Sequence, residues 1–329
     1  MNANPFIQRL RDHAASVGAR PRAAALGAEP LAAPDPVPAA AARVQPDQLA
    51  FWQSPVARAA INRRITGDPE LGPETYFARR HGPSIVAPHA LSLRASDAKL
   101  EIALVEAGSC ERVTGLDEQQ GRVDFATGRV PEPLREQVAF QLGTLERFQP
   151  PQPLGAVVCR SFLHRRDDLE EVLDRLAATL APGGLLFVED FIGPARFQWT
   201  DAQMDAINRL LARLPEELLG DLSATDGRRK RSVERPNPAD WIASNPNEAV
   251  RSDEILPALD MRFERVEVCP YGGAIFHQLF SRIMGNFAGR PELVGLLMEI
   301  DALMTDAGAL GADYVWGVWR WAGGSSSPV

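Results

Sequence analysis

Apolar and polar positions along the middle of this chain repeat with two different periods, and each change of period marks a strand or a helix. Residues 155–159 (GAVVC) are an unbroken apolar run that ends in the polar residues Arg160, Ser161 and His164. Residues 167–180 then place leucines and a valine at helical spacing. Pro182, Gly183 and Gly184 make a turn, and a second apolar run, residues 185–188 (LLFV), ends at Glu189 and Asp190. A short continuous apolar run fits a strand buried on both faces, and an amphipathic stretch fits a helix laid against it. The pattern predicts a β-α-β unit with polar residues at the carboxyl ends of both strands. In an open parallel sheet those ends are where ligands bind.

The same alternation continues on both sides. Residues 90–93 predict a strand, and residues 97–107 a helix opened by Asp97 and closed by Gly108. Residues 112–116 predict a strand ending in Asp117, and residues 138–142 another. The helical signal over residues 118–136 is interrupted by Gly128 and Pro131. Upstream, residues 47–66 have helical apolar spacing with a break at Pro55, which suggests a helical prelude over residues 47–82. Downstream, Thr200 and Asp201 are good caps for a helix reaching residue 214, and helices are expected near 252–259, 275–287 and 291–307. Strands are expected at 263–271 and 312–321, the last being rich in Trp and Tyr and suited to a sheet edge or a late hairpin. Strands separated by helices predict an α/β, doubly wound, mostly parallel sheet.

Domain organisation follows. Residues 1–46 are rich in Ala and Pro, most markedly over 14–43, and too poor in large apolar groups to offset the entropy of ordering, so they read as a flexible arm. Residues 47–322 read as one domain: prelude 47–82, core 83–195, insertion 196–260 and C-terminal elements 261–322. Residues 323–329 read as a disordered tail.

Composition narrows the chemistry. The chain has 329 residues, 45% of them hydrophobic, and a formal net charge of −8. That charge argues against nucleic acid as the main partner, and no apolar run is long enough to span a bilayer. The three cysteines, Cys110, Cys159 and Cys269, lie far apart, as expected of reduced thiols in a cytoplasmic protein. The abundance of Ala, Arg and Pro suggests a bacterial source. No His or Cys spacing fits a metal site, and no P-loop occurs.

The order of the motifs resembles class I S-adenosylmethionine-dependent methyltransferases over about residues 90–190. ALSLRASDAKLEIALVEAG is similar to the family's first motif, VTGLD to its second strand with an acidic ribose ligand, and LGTL to its adenine-contacting segment. VVCRSFLH, LAPGG and LLFVED resemble the fourth strand, the turn before the fifth and the fifth strand itself. The resemblance implies a Rossmann-like seven-stranded sheet with a helical insertion after strand 5. It also implies S-adenosylmethionine as cofactor, lined by Arg94, Ser96, Asp97, Asp117, Thr144, Leu145 and Arg160. His164 or Asp190 would orient or deprotonate a small-molecule acceptor. Arg228, Arg229 and Arg231 would attract the acceptor's anionic part, with His277 near the same mouth.

The chain departs from the family where glycines normally stand, carrying Arg94, Ser96 and Ala98. Glycine there permits positive φ and close approach of the backbone to the cofactor. Arg94 either excludes the donor by repelling its sulfonium or binds a carboxylate or phosphate with its planar fork. Thr144 replaces an acidic residue. Each candidate has an ordinary alternative: Asp97 a plain helix cap, His164 a helix-start residue, the arginine run a solvated loop, Cys159 a core residue. Two functions remain open. One is methyl transfer to oxygen or nitrogen of a small molecule, such as a glycan precursor. The other is a catalytically silent, methyltransferase-like binding or scaffolding protein, a homo-oligomer or the partner of an active paralogue. A Rossmann dehydrogenase fits less well, because its Gly-x-Gly-x-x-Gly is absent.

Overall fold

The computed structural model describes residues 51–323. The expected arm, and the tail beyond Gly323, lie outside the described residues. A short 3-10 turn, Phe51–Gln53, leads into α1 (Pro55–Thr66) and α2 (Pro73–Arg80). Pro55 does not break a helix. It stands at the first position of α1, behind the Ser54 cap, where its missing N–H costs nothing.

The sheet strands are β1 (His89–Leu93), β2 (Arg112–Asp117), β3 (Val138–Leu142), β4 (Leu154–Arg160), β5 (Leu180–Phe191), β6 (Glu264–Gly272) and β7 (Tyr314–Arg320). Their order is β3-β2-β1-β4-β5-β7-β6. The first five run parallel, and β7 is antiparallel to both β5 and β6. The connection reverses direction between β1 and β4, which opens a crevice beyond their carboxyl ends.

The two-faced burial read from the apolar runs is visible residue by residue. Val157, Cys159, Leu186 and Val188 face one core, with Leu173 and Leu176 of α5 (Leu169–Thr179). Ala156, Val158, Leu185 and Phe187 face the other, with Phe77 of α2 and Leu100 and Leu104 of α3 (Lys99–Glu106). Alternate residues of one strand thus feed two helix layers. The insertion begins with α6 (Asp201–Leu211), where Thr200 and Gln203 form a capping box. Ile207 and Leu211 of α6 join Phe276, Phe280 and Leu297 in a third core that roofs the carboxyl side.

Several expectations change. The Pro-Gly-Gly turn is absorbed into the start of β5. Residues 275–287 are not one helix but a short helix, Phe276–Phe280, and a 3-10 turn, Met284–Phe287. The Trp-rich strand β7 is interior, not an edge, and Trp316 and Trp319 are fully buried. Those two side chains pack into the two sheet–helix cores, and β7 pairs antiparallel with β6 as a late antiparallel pair. Among the described residues no helix is long and apolar enough to cross a membrane.

Candidate functional site

The turn after β1 keeps the backbone of a glycine turn without the glycines. Arg94 has φ +66° and Ala98 φ +60°, both left-handed. For an L-residue this conformation costs about 1–2 kcal/mol. Ser161, at the end of the neighbouring strand β4, is left-handed as well. Strain of this kind persists where surrounding structure enforces it. Here Arg94 donates its backbone N–H to Leu116 at 2.8 Å and its Nη1 to the Ser161 carbonyl at 2.6 Å, binding three strand ends together. Burial, with the nearby Arg165 and Arg122, pushes the Arg94 guanidinium down to about 10. Ala98 is the residue that precedes α3, but Asp97 still accepts the first backbone N–H of the helix, that of Lys99, at 3.4 Å, and pairs with the Lys99 ammonium at 2.9 Å. The capping reading of Asp97 thus holds from one position further out.

Arg160, at the end of β4, is the centre of a half-buried ion cluster. It reaches Glu189 at 2.9 Å, Glu74 of α2 at 3.1 Å and Asp97 at 3.6 Å, and its Nη1 lies 3.5 Å from Ser96 Oγ. Burial disfavours its charge, but the surrounding carboxylates outweigh that and raise its pKa. The cluster ties the prelude helix to the β1 turn and the end of β5.

His164 and Asp190 meet, as their strand-end positions suggested, but both are fully occupied. His164 Nδ1 pairs with Asp190 Oδ1, and Nε2 lies 3.2 Å from Glu248 Oε1. Asp190 also accepts the backbone N–H groups of Phe162, Leu163 and Phe191 at 2.7–2.9 Å. Burial lowers the His164 pKa, yet the two carboxylates raise it further, and the net shift is upward. With both ring nitrogens engaged and only 3% of its surface exposed, His164 has no face for an acceptor. In this arrangement the pair locks the loop after β4 to the insertion, which corrects the reading of either residue as a proton acceptor. Glu248 was not singled out in the sequence. It sits 84 positions from His164.

Asp117 ends β2 with Oδ1 accepting Gln119 N–H at 2.8 Å, while its buried Oδ2 has no hydrogen-bond partner. Thr144 precedes a 3-10 turn at the end of β3, and Leu145 is 3% exposed within the core, so it supports this corner more than it contacts a ligand. The basic run behaves differently from its expected role. Arg231 makes a two-pronged pair with Glu216 at 2.8 and 2.9 Å, Arg229 lies 3.5 Å from the same carboxylate, and Arg228 lies 3.5 Å from Asp221. Lys230 is buried and donates to the carbonyls of Gln278, Leu279 and Ser281. These partners belong to the insertion and the roof, so the run fastens those parts together instead of reaching the strand ends.

His277 does approach the carboxyl rim. Its ring lies 5.3 Å from Tyr314, 5.6 Å from Phe191, 5.9 Å from Phe197 and 6.2 Å from Trp199. Burial pushes its pKa to about 4, Lys230 and His164 adding to the effect, so it is neutral at pH 7. Its buried Nδ1 has no hydrogen-bond partner. Tyr271 and Tyr314 stack beside it at 5.7 Å. Cys159 is core, as the alternative reading held.

Residues 99–188 match the family model described as a methyltransferase domain. That match runs from the start of α3 to Val188 in β5, the central part of the sheet. The match begins one residue after Ala98, just past the turn that follows β1. No curated protein matches the chain. Solved structures with a similar course include an S-adenosylmethionine-dependent methyltransferase from Mesorhizobium loti, at 17% identity and TM-score 0.43, covering 76% of this chain and 98% of that one. Another is the N-methyltransferase NodS from Bradyrhizobium japonicum with S-adenosylhomocysteine, at 13% identity and TM-score 0.41, covering 81% and 98%. A third is CalS10, an amino pentose methyltransferase from Micromonospora echinaspora, at 20% identity and TM-score 0.31, covering 37% and 52%. Likenesses this distant say nothing about acceptor or chemistry.

Proposed function

We propose that the protein transfers a methyl group from S-adenosylmethionine to a nucleophilic oxygen or nitrogen of a small molecule. The observation that carries this reading is the orphaned Oδ2 of Asp117, a buried acceptor at the end of β2, where a ribose hydroxyl would satisfy it. When bound, the donor supplies an electrophilic methyl on a sulfonium. The residues of this chain would place the nucleoside beside Asp117 and Thr144 and hold the acceptor against the aromatic wall of Tyr271, Tyr314 and His277. The neutral His277 is too weak a base at about 4 to remove a proton from an alcohol, which favours an acceptor that is already nucleophilic, such as an amine with a free pair. In-line placement then supplies most of the catalysis. An amino sugar would join this preference to the glycan-related acceptor suggested by the sequence.

The experiment is calorimetric titration with S-adenosylmethionine and S-adenosylhomocysteine, in the natural chain and in Asp117→Asn. Binding should weaken at least about tenfold in the variant, the loss expected for a charge-assisted hydrogen bond of about 1.5–3 kcal/mol. Equal binding by the two proteins would remove the observation on which this reading rests.

A second reading, a silent binding protein, is favoured by one observation: the guanidinium of Arg94 bridges the turn after β1 to the Ser161 carbonyl at the end of β4, where it would repel a cationic donor. Its ligand would be held without transfer. Absence of any donor binding at millimolar concentration, together with its appearance in Arg94→Gly, would support this second reading.

A further inference from the structure

The C-terminal helix Pro291–Asp306 is apolar on two sides. Val294, Leu297 and Met298 point into the third core. Leu293, Leu296, Ile300 and Leu303 form a second stripe, recurring at intervals of three and four residues. Leu293 and Ile300 are half-buried, but Leu296 is 56% exposed and Leu303 58%. One exposed leucine is ordinary, whereas two aligned on one helix face with apolar neighbours make a patch that a partner would cover. Glu292 and Glu299, each four residues before one of those leucines, are exposed along its border. The first fifty residues of the chain carry a matching stripe. At helical spacing Phe6, Ile7, Leu10, Ala14 and Val17 fall on one side, flanked by Arg9 and Arg11. At about 1.5 Å per residue, a helix over residues 6–17 would match the stripe from Leu293 to Leu303 in length. The charge is opposite as well: residues 6–22 hold Arg9, Arg11, Arg20 and Arg22 against a single acidic residue, Asp12.

The start of the fold lies beside this helix. Phe51 shares the third core with Val294 and Leu297, and a methyl group at Gly295 would stand 3.8 Å from Val56 of α1. Residues 18–50 separate Phe51 from the apolar segment, and a flexible chain of that length spans about 30 Å on average. That exceeds the length of the whole helix, about 24 Å. Such a tether holds the segment at an effective concentration in the millimolar range. A second copy of the helix is a poorer occupant. Two-fold pairing brings the same border of both helices together and sets Glu292 and Glu299 against their own copies. We propose that residues 6–17 dock on the Leu293–Leu303 stripe of the same chain, their apolar side on Leu296 and Leu303 and a flanking arginine beside Glu292 and Glu299. This interaction surface is separate from the crevice and holds whether or not a methyl group is moved there.

The test is amide hydrogen exchange of the full chain, read by mass spectrometry over residues 6–17. A docking affinity of about 0.1 mM at millimolar effective concentration slows exchange there about tenfold against the free-chain rate. Leu296→Glu and Leu303→Glu should each bring residues 6–17 to within about twofold of the free-chain rate, while residues 24–40 exchange as before. Both leucines lie on the surface, so the fold survives these changes. Glu292→Arg combined with Glu299→Arg should cut the protection to about threefold or less. Adding Arg9→Glu and Arg11→Glu should restore it, which a loss of packing alone would not do. Exchange of residues 6–17 at the free-chain rate in the natural protein overturns the proposal, as does protection that both leucine variants keep. Sedimentation gives one more contrary result: a dimer that Leu303→Glu dissociates, with residues 6–17 exchanging freely, assigns the stripe to a second copy.

Discussion

At the scale of single residues, Arg94 decides most. Its left-handed backbone, its place beside Arg122 and Arg165, and its bond to Ser161 put a cation where a glycine would leave room. Removing it should help a cationic donor more than a neutral product. Arg94→Gly is expected to shift the ratio of S-adenosylmethionine to S-adenosylhomocysteine affinity toward the donor by about tenfold, or about 1.4 kcal/mol. Titration of both ligands against both proteins reads this directly, and an unchanged ratio would mean the guanidinium does not face the sulfonium. His164 offers a pH test. Its pKa is raised in the folded state by Asp190 and Glu248 against the opposing effect of burial. The stability it contributes is therefore complete below its unfolded value of about 6.5 and is lost as pH rises through the higher folded value. His164→Gln should flatten the fall of the urea midpoint on the alkaline side of pH 6.5. The same slope in both proteins would show that the imidazole is not charged in the fold. That pairing was only half legible beforehand. Two strand-end residues predict that His164 and Asp190 are near, but nothing local announces Glu248, which arrives from a loop in the insertion.

At the scale of elements, the strands and helices of the core were readable because burial on both faces leaves a continuous apolar run, whereas burial on one leaves a period of 3.6. Strand β7 was harder to place, since its alternating aromatic pattern suits an edge or an interior strand equally well. Its interior position makes Trp319 a packing residue at 0% exposure, and Trp319→Ala should cost about 3–5 kcal/mol in chemical denaturation. A cost below 1 kcal/mol would place the strand at an edge after all. The prelude helix α2 is fastened by Glu74 to Arg160, a link that sequence cannot display because its ends lie 86 residues apart. Arg160→Met leaves Glu74, Glu189 and Asp97 without their shared cation. Breaking such a pair costs about 3–5 kcal/mol. Hydrogen exchange in α2 should quicken in this variant more than in β5, and uniform protection would contradict the link. The basic run, by contrast, looked like a ligand-facing loop because its partners, Glu216 and Asp221, are polar residues that give no pairing signal in the sequence.

At the scale of the whole molecule, the sheet order opens a crevice at the carboxyl ends of β1 and β4, within the part of the chain that matches a methyltransferase-domain model. Asp117 remains at the end of β2, while the β1 turn carries Arg94 and Ala98 in left-handed backbone. The fold was legible because motif order depends on burial and turns, which many side chains write redundantly. The donor site was less so, because it depends on a few positions where one substitution changes the electrostatics. The central claim, that an adenosyl group lodges at the carboxyl rim, is tested most directly by titrating the full chain with S-adenosylhomocysteine. We expect saturable binding in the micromolar range, about −8 kcal/mol, weakened at least about tenfold in Asp117→Asn. No heat at millimolar ligand, in the presence of a folded protein, would contradict it.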